Sequence, residues 1–600
     1  MFKLFALLPF ISMSLLVVYF MRQGFCRRSA LLAAAVAWGV ILIMITEVLS
    51  LFHLLNFQWL SIAWVLTTIL LACMYFYADN KMQLQLNAPF TLFTKLLLYC
   101  TGGIVITAGI TAVVAPPNTW DSMTYHMSRV MHWIQNQSVA HYPTNIIRQI
   151  ELNPWAEFAI TNFQILSKGD YLANLVQWFC MIGSILGVTL IAEKLGADHR
   201  GQIFAAVVAA TIPMGILQSS STQNDYVVSF WLVCLVYFGI RFNEKPCWSY
   251  ATAVGASLGL SLLTKGTAYL YAFPLLIWLV VSSLKSIKLM AVKYIVIIML
   301  VAISLNSGHY IRNYVTFGNI LSSGETKYSN GSYGMATLTS NVIRNIALEM
   351  GSSFKYANQA IISGACLLHM SMGLDIDDNE TTLPGTKFSI SSSRHEDAAG
   401  NPLHLLLIIF SIFAICFSKN MRHQHNVLPY LSALVIAFIC FSFYLRWQPW
   451  QNRLLLPLII LWSPLIALVI AKIKSTWVAN TILISLVCMA LPFLLLNKSR
   501  PLITVENTES ILETDRISQY FNNRPNLMQQ YYELALYLKL INCSNIALQT
   551  GENAWEYPLW VLLQKEFDQN IRIEHVKVDN MSDKIPLNNF IYCYVVPIDR

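Results

Sequence analysis

Long stretches without a charged side chain recur from one end of this 600-residue chain to the other, and they constrain its fold more than any other feature. Only 12% of residues are charged, roughly half the share of a soluble domain. A helix that crosses a bilayer needs about 20 mostly apolar residues. By that measure the stretches Leu4–Phe20, Ala30–Phe52, Phe57–Tyr77, Leu96–Val114, Tyr171–Ala192, Gln202–Leu217, Tyr226–Ile240, Tyr250–Leu263, Ala268–Ser283, Tyr294–Ser307, Leu405–Phe417, Val427–Tyr444, Leu454–Ala471 and Trp477–Leu496 are candidate spans. The sequence therefore predicts a polytopic α-helical membrane protein with about 14 transmembrane helices.

Basic residues in short loops set orientation. They fall in alternate loops, from Arg22, Arg27 and Arg28 through Lys81 and Lys95 to Lys472 and Lys474. Those loops are expected in the cytoplasm, which places both chain ends outside. The first span carries its positive charge behind it, as expected of an uncleaved anchor. Much of the net charge of +8 is this inner-face bias, so it implies no nucleic-acid partner. The twelve cysteines show no CxxC pair, lie mostly inside spans, and read as apolar packing residues without a disulfide framework.

This topology divides the chain into N-terminal helices (1–114), a first large outer loop (115–169), a helical core (170–307), a long outer loop (308–404), C-terminal helices (405–496) and a soluble tail (497–600). The tail alternates a helical stretch, Met528–Leu540, with strand-like stretches at Asn545–Gln549, Ile573–Val578 and Phe590–Val596. That pattern predicts a small extracytoplasmic α/β domain.

Polar residues gather on the outer side. The first loop opens with PPNTWDSMTYHMSRVMHW, in which Asp121, Tyr125, Arg129 and His132 follow helical spacing that predicts one shared face. Asp121 at this helix start could serve as a capping-turn acid, with Asn118 or Thr119 as N-cap. The face continues with further polar and aromatic groups, and the next segment, HYPTNIIRQIELNPWAEF, adds His141, Arg148, Glu151 and Glu157 without becoming a solvated charge run, which favours a site. Lys265 in LLTKGT, Arg312 in GHYIRNYVTFGN and Arg453 in RWQPWQNRLLLP break the positive-inside trend. Three cations placed at outer helix ends predict an anion site. Trp447 and Trp450 beside Arg453 are read as interfacial anchors or stacking groups. Glu47 is the one clear mid-span carboxylate.

Taken in order, NTWDSMTYH, the Gly-rich helix ending in LTKG, YIRNYVTFGN and NRLLLP resemble the GT-C superfamily of membrane glycosyltransferases. The likeness is to the branch of protein O-mannosyltransferases and aminoarabinose transferases, and it covers most of the chain. In members the acidic loop follows the first span, whereas here three spans precede the helix that leads into it. Members often carry an acidic pair where this chain has Asp121 then Ser122. The resemblance implies transfer of a sugar from a polyprenyl-phosphate donor to a glycan, lipid or protein acceptor, at the outer face of a bacterial cytoplasmic membrane. It implies Asp121 as the catalytic carboxylate, with Asp225, Glu396 or Asp397 as a second acid. Tyr125, His126 and Arg129 would accompany Asp121 at the substrate, and Lys265, Arg312 and Arg453 would meet the phosphate.

The residue types suit that chemistry. Inverting attack by a hydroxyl needs a carboxylate base, and a departing lipid phosphate needs cations. No HExxH, DxD or Cys/His cluster appears, so the sequence offers no case for a required metal or other cofactor. Two further classes remain open at this point: an O-antigen polymerase or ligase type of enzyme, and a transporter or flippase, which would need ionisable groups at mid-bilayer.

Overall fold

The computed structural model describes residues 2–79, 81, 90–324, 327–504, 508–566, 571–587 and 590–598. All fourteen candidate stretches are helical. Among the described residues, eleven helices are long and apolar enough to cross a membrane, or twelve counting one bent pair. The difference from fourteen has two causes. The helices Trp248–Leu262 and Pro402–Phe417 have only 15 and 16 residues. At 1.5 Å per residue each covers about 22–24 Å, less than a typical hydrocarbon core. The stretch Gln202–Leu217 is broken into His199–Ala210 and Pro213–Ser219, which meet at 67°. Pro213 lacks an N–H and biases the residue before it away from helix, and Ile212 is extended at ψ 116°.

The loops nevertheless fall into the two groups that their charges predict. At one end of the bundle Lys81 N bonds Arg22 O at 2.9 Å, Arg28 pairs with Glu193 at 2.9 Å, and Lys194 pairs with Glu244 at 2.9 Å. At the other end Lys265 meets Asp225, Trp155 N bonds Leu263 O at 3.0 Å, and Lys498 N bonds Arg394 O at 3.1 Å. The helix Trp248–Leu262 still runs between these ends, from Tyr250 bonded to Arg241 at 2.9 Å to Leu262 O bonded to Asn153 at 2.7 Å.

The tail forms the expected α/β unit. Strands β1 (Asn545–Thr550), β2 (Arg572–His575) and β3 (Tyr594–Ile598) make a parallel sheet in the order β2-β1-β3, with the helices Met528–Leu540 and Tyr557–Glu566. Cys543 and Cys593 are disulfide-bonded, which corrects the packing role read for these two thiols. Sequence spacing hid the pair because 50 residues separate them. Trp447 is fully buried against Phe388, with ring centroids 5.1 Å apart, so it is a core residue of the long loop and no interfacial anchor.

The long loop is fastened to the broken helix through Asn401. Its Nδ2 donates to Glu349 Oε2 at 2.7 Å, and its Oδ1 accepts from Met214 N at 3.0 Å. Burial pushes the Glu349 carboxyl up to about 8, against the opposing bond from Asn401. Below that pH the folded chain holds a proton that the unfolded chain releases, so this group's contribution falls as pH rises from the ordinary carboxylate range towards about 8. Glu349→Gln keeps the neutral shape and should flatten this loss. Thermal midpoints measured below and above pH 8 for both proteins check it, and equal pH dependence would remove the assignment.

Candidate active site

The helix that carries Asp121 starts without help from its carboxylate. Thr119 is the cap, since its Oγ1 accepts from Ser122 N at 3.1 Å. Asn118 is drawn elsewhere: its Nδ2 donates to Ser499 O at 2.9 Å and its Oδ1 accepts from Arg500 at 2.7 Å. Residues Ser122–His126 form a π turn, in which Met127 N reaches back five residues to Ser122 O. The inserted residue rotates everything beyond it by about 100° relative to a continuous α-helix. The shared face expected for Asp121, Tyr125, Arg129 and His132 is therefore split.

Tyr125 stays with Asp121 and hydrogen-bonds to it. His126 and Arg129 turn to Glu157, His126 at 2.5 Å and Arg129 at 3.4 Å. Arg129 also donates to Gln149 O and Leu152 O, at 2.5 and 2.8 Å. These two side chains, both buried, hold the first loop in shape. His132 reaches the tail domain.

Asp121 is freed from capping and pairs with Arg453, Oδ2 to Nη2 at 2.7 Å. The other arm of the same guanidinium, Nη1, meets Asp397 Oδ1 at 3.1 Å. Gln223 Nε2 also donates to Asp397, at 3.3 Å, and His395 stands 3.8 Å away. Lys265 Nζ is 2.5 Å from Asp225 Oδ1, and both the Asp121 and Arg453 charges act on Lys265. Asp225 opens the helix Asp225–Glu244, where the positive end of the dipole favours a carboxylate. Five of the residues singled out in the sequence thus form one cluster: Asp121, Asp225, Lys265, Asp397 and Arg453. Side-chain exposures of 11, 1, 17, 25 and 10% respectively leave Asp397 and Lys265 nearest to solvent. Asp225 Oδ2 and Arg453 Nε are buried without a hydrogen-bond partner among the described residues. In a native interior such orphans call for an explanation, and a ligand that completes them is one.

The environments push the two carboxylates on Arg453 apart. Burial alone would raise Asp121, but Arg453, Arg148, His126 and the Tyr125 hydroxyl together hold it below the ordinary carboxylate range. Burial raises Asp397, with Asp121 and Glu396 adding to the rise, and Arg453 and His395 only partly oppose it. Opposed shifts in one cluster are how a site separates its protonation roles.

Two residues expected at the site stand apart from it. Glu396 faces Arg500 at 3.6 Å, away from Arg453. Arg312 is chelated by Glu47, at 2.6 and 2.8 Å. A Cβ on Gly308 would come 2.6 Å from Glu47 Oε1, so the missing side chain at that position makes room for the pair. This bond also neutralises the one mid-span carboxylate. Arg148, which the sequence offered only within the polar stretch that follows the Asp121 helix, and Arg500, which it did not single out, also lie here. Arg148 lies over the Tyr125 ring, 5.0 Å from its centroid. Arg500 is fully buried and donates to Leu217 O at 3.2 Å, at the end of the broken helix. Its place just after the last span, on the side where cations are scarce, carried the same signal as Arg453.

Arg453→Ala would leave two carboxylates in a poorly hydrated site without their counter-ion. Breaking a buried pair in this way costs about 3–5 kcal/mol. Adding Asp397→Asn should recover part of that loss, because it removes one of the stranded charges. A thermal-unfolding cycle over the two positions measures the coupling, and additive effects would show that the shared bridge contributes nothing.

Comparison with known proteins agrees with the resemblance carried by the motifs. The family model described as dolichyl-phosphate-mannose-protein mannosyltransferase matches residues 154–309. That segment contains Asp225 and Lys265, while Asp121, Asp397 and Arg453 lie outside it. No curated protein matches the chain significantly. Among solved structures, the chain is similar to ArnT from Cupriavidus metallidurans bound to undecaprenyl phosphate. That match has a TM-score of 0.44 and 13% identity, and covers 79% of this chain and 76% of that one. The apo form of the same ArnT gives a TM-score of 0.47 and 13% identity, covering 82% and 88%. The chain is a polytopic helical membrane protein with a small α/β tail, and its segment 154–309 is similar to the dolichyl-phosphate-mannose-protein mannosyltransferase family.

Proposed function

We propose that this chain is a glycosyltransferase that moves a sugar from a polyprenyl-phosphate donor to a hydroxyl of a glycan, lipid or protein acceptor, with inversion, at the outer face of a bacterial cytoplasmic membrane. The observation that carries this reading is the Asp121–Arg453–Asp397 bridge, buried at Asp121 and Arg453 and half-buried at Asp397, beside the Lys265–Asp225 pair, at the end of the bundle away from the basic loops. The family-model match supports the reaction class.

The acceptor oxygen attacks the anomeric carbon as its proton passes to a carboxylate. The bond from that carbon to the phosphate oxygen breaks, and its electron pair leaves with the lipid phosphate. Lys265 and Arg453 are the cations placed to meet the charge that grows there. A phosphate that takes hold of Arg453 competes with Asp121 for it. Released from its guanidinium, Asp121 becomes a stronger base at the moment the donor is bound. Asp225 and Asp397 orient the two cations, and Asp397, whose proton affinity burial has raised, is the second acid.

Sidedness is supported by the tail. A disulfide between Cys543 and Cys593 suits an oxidising compartment outside the cytoplasm. In intact cells those two cysteines should resist a membrane-impermeant maleimide until an impermeant reductant is added, and then react. Labelling that appears only after lysis would put the tail inside and end this orientation.

Asp121→Asn preserves side-chain volume, and the helix start keeps its Thr119 cap. Expression and insertion should be normal while turnover falls at least about 10²-fold, the usual share of a general base. The readout is sugar transfer from a purified polyprenyl-phosphate donor per folded molecule. Near-normal turnover in a well-folded variant would remove Asp121 from the chemistry.

A further inference from the structure

The parallel sheet of the tail brings two protein ligands together at one edge. Glu556 stands in the turn after β1, just before the helix Tyr557–Glu566, and His575 is the last residue of β2. β1 and β2 are neighbours in register, with Leu548 opposite His575. Both side chains therefore belong to the carboxyl end of the sheet, where parallel α/β sheets bind their ligands. Into this corner His132 enters from the first outer loop, on the helix Met127–Asn136 that continues from the Asp121 turn.

The ligand atoms of the three residues lie within 4.8 Å of one another. His132 Nε2 is 2.7 Å from Glu556 Oε1, and His575 Nε2 is 3.1 Å from Glu556 Oε2. All three side chains are 0% exposed. A surrounding shell fixes each of them. Trp560 Nε1 donates to Glu556 Oε1 at 2.9 Å, and Gln149 Nε2 donates to Oε2 at 2.6 Å. Thr550 Oγ1 holds the far nitrogen of His575 at 3.1 Å, and Tyr142 stacks on the His132 ring at 4.2 Å. Metal-binding imidazoles and carboxylates are oriented by such outer partners. His132 Nδ1 is buried without a hydrogen-bond partner among the described residues. The contact with Glu556 uses Nε2 of that ring, which is the nitrogen a metal would take over.

We propose that His132, Glu556 and His575 form a binding site for a single divalent cation of the zinc class, which clamps the tail domain to the loop helix leading from Asp121. Two imidazoles and one carboxylate are a ligand set that zinc accepts, and magnesium or calcium prefers oxygen-rich sites. Zinc bond lengths of about 2.0–2.1 Å place tetrahedral ligand atoms about 3.3 Å apart, so the 2.7 Å contact between His132 and Glu556 has to open by about 0.6 Å, while all three ligand atoms already lie within 4.8 Å of one another. The carboxylate supplies one of the two negative charges that offset the ion, at side chains that are fully buried. The clamp would fix the helix Met127–Asn136, and through the π turn the position of Asp121.

The test uses the full-length protein, purified without metal-affinity resin, with metal content read by inductively coupled plasma mass spectrometry. About one zinc per chain should survive dialysis. A strong chelator should remove it and lower the thermal midpoint, and zinc but not magnesium should restore both. Glu556→Gln combined with His575→Ala should lose the metal and become insensitive to chelator. Wild-type protein that carries no zinc, and whose midpoint responds to neither chelator nor added zinc, would overturn the site and leave a hydrogen-bonded trio. Zinc retained in full by the doubly substituted chain would place the ion elsewhere and equally overturn it. The chelation arm needs no variant, so a substitution that fails to fold cannot decide the outcome.

Discussion

One guanidinium organises the end of this bundle that lies away from the basic loops. Arg453 projects from the first turn of the helix Gln451–Ala471, whose remaining residues are buried throughout. Its planar fork reaches Asp121 on the first outer loop and Asp397 on the second, so a single side chain ties together three segments far apart in sequence. A lysine could offer its charge but not two separated parallel donors. The cluster around it holds three carboxylates against two cations, Arg453 and Lys265. That excess explains why Asp121 and Asp397 are driven in opposite directions, for the bridge can fully serve only one of them. In the proposed reaction an incoming phosphate would enter by exchange with a carboxylate, which would couple its binding to release of a base.

The broken helix and the tail build the floor beneath that bridge. Pro213 ends one helix and starts a short one, whose last turn is capped by Arg500. The same arginine holds Asn118, so the PPN stretch ahead of Asp121 is fixed by a residue from beyond the last span. Glu396 balances the Arg500 charge and thereby turns away from Arg453, leaving its neighbour Asp397 to face the site. Adjacent acids thus take different duties from within one tight turn, which Ala398 N and Ala399 N close on His395 O at 3.0 and 3.1 Å.

The fold was legible because its main signal is long-range composition. Apolar runs and alternate basic loops locate the helices and sort the loops into two groups, and strand-like stretches in the tail fall on the three strands. The residues Asp121, Lys265 and Arg453 were legible too, since each is an ionisable group at an outer helix end. What the sequence hid was register and pairing. A π turn is not encoded by periodicity, so the shared face assigned to Asp121, Tyr125, Arg129 and His132 dissolves. Arg312 shows the same outlying position as Arg453, yet its partner is Glu47, which belongs to another helix. The Cys543–Cys593 bond and the His132–Glu556–His575 trio join residues that no local spacing connects.

The Glu47–Arg312 pair bears on why this molecule reads as an enzyme and not as a carrier. A transport path needs ionisable groups that change partners across the bilayer's mid-plane. Glu47 is instead locked by a bidentate guanidinium, with Gly308 making room for it. Such a two-bond geometry is among the strongest that a carboxylate forms, and it resists exchange. The exchangeable groups lie in the outer cluster, where Asp397 shares its arginine with Asp121 and where Asp225 Oδ2 and Arg453 Nε still lack partners among the described residues. Charge that is fixed within the bundle and exchangeable at one end favours chemistry at that end over passage between the two.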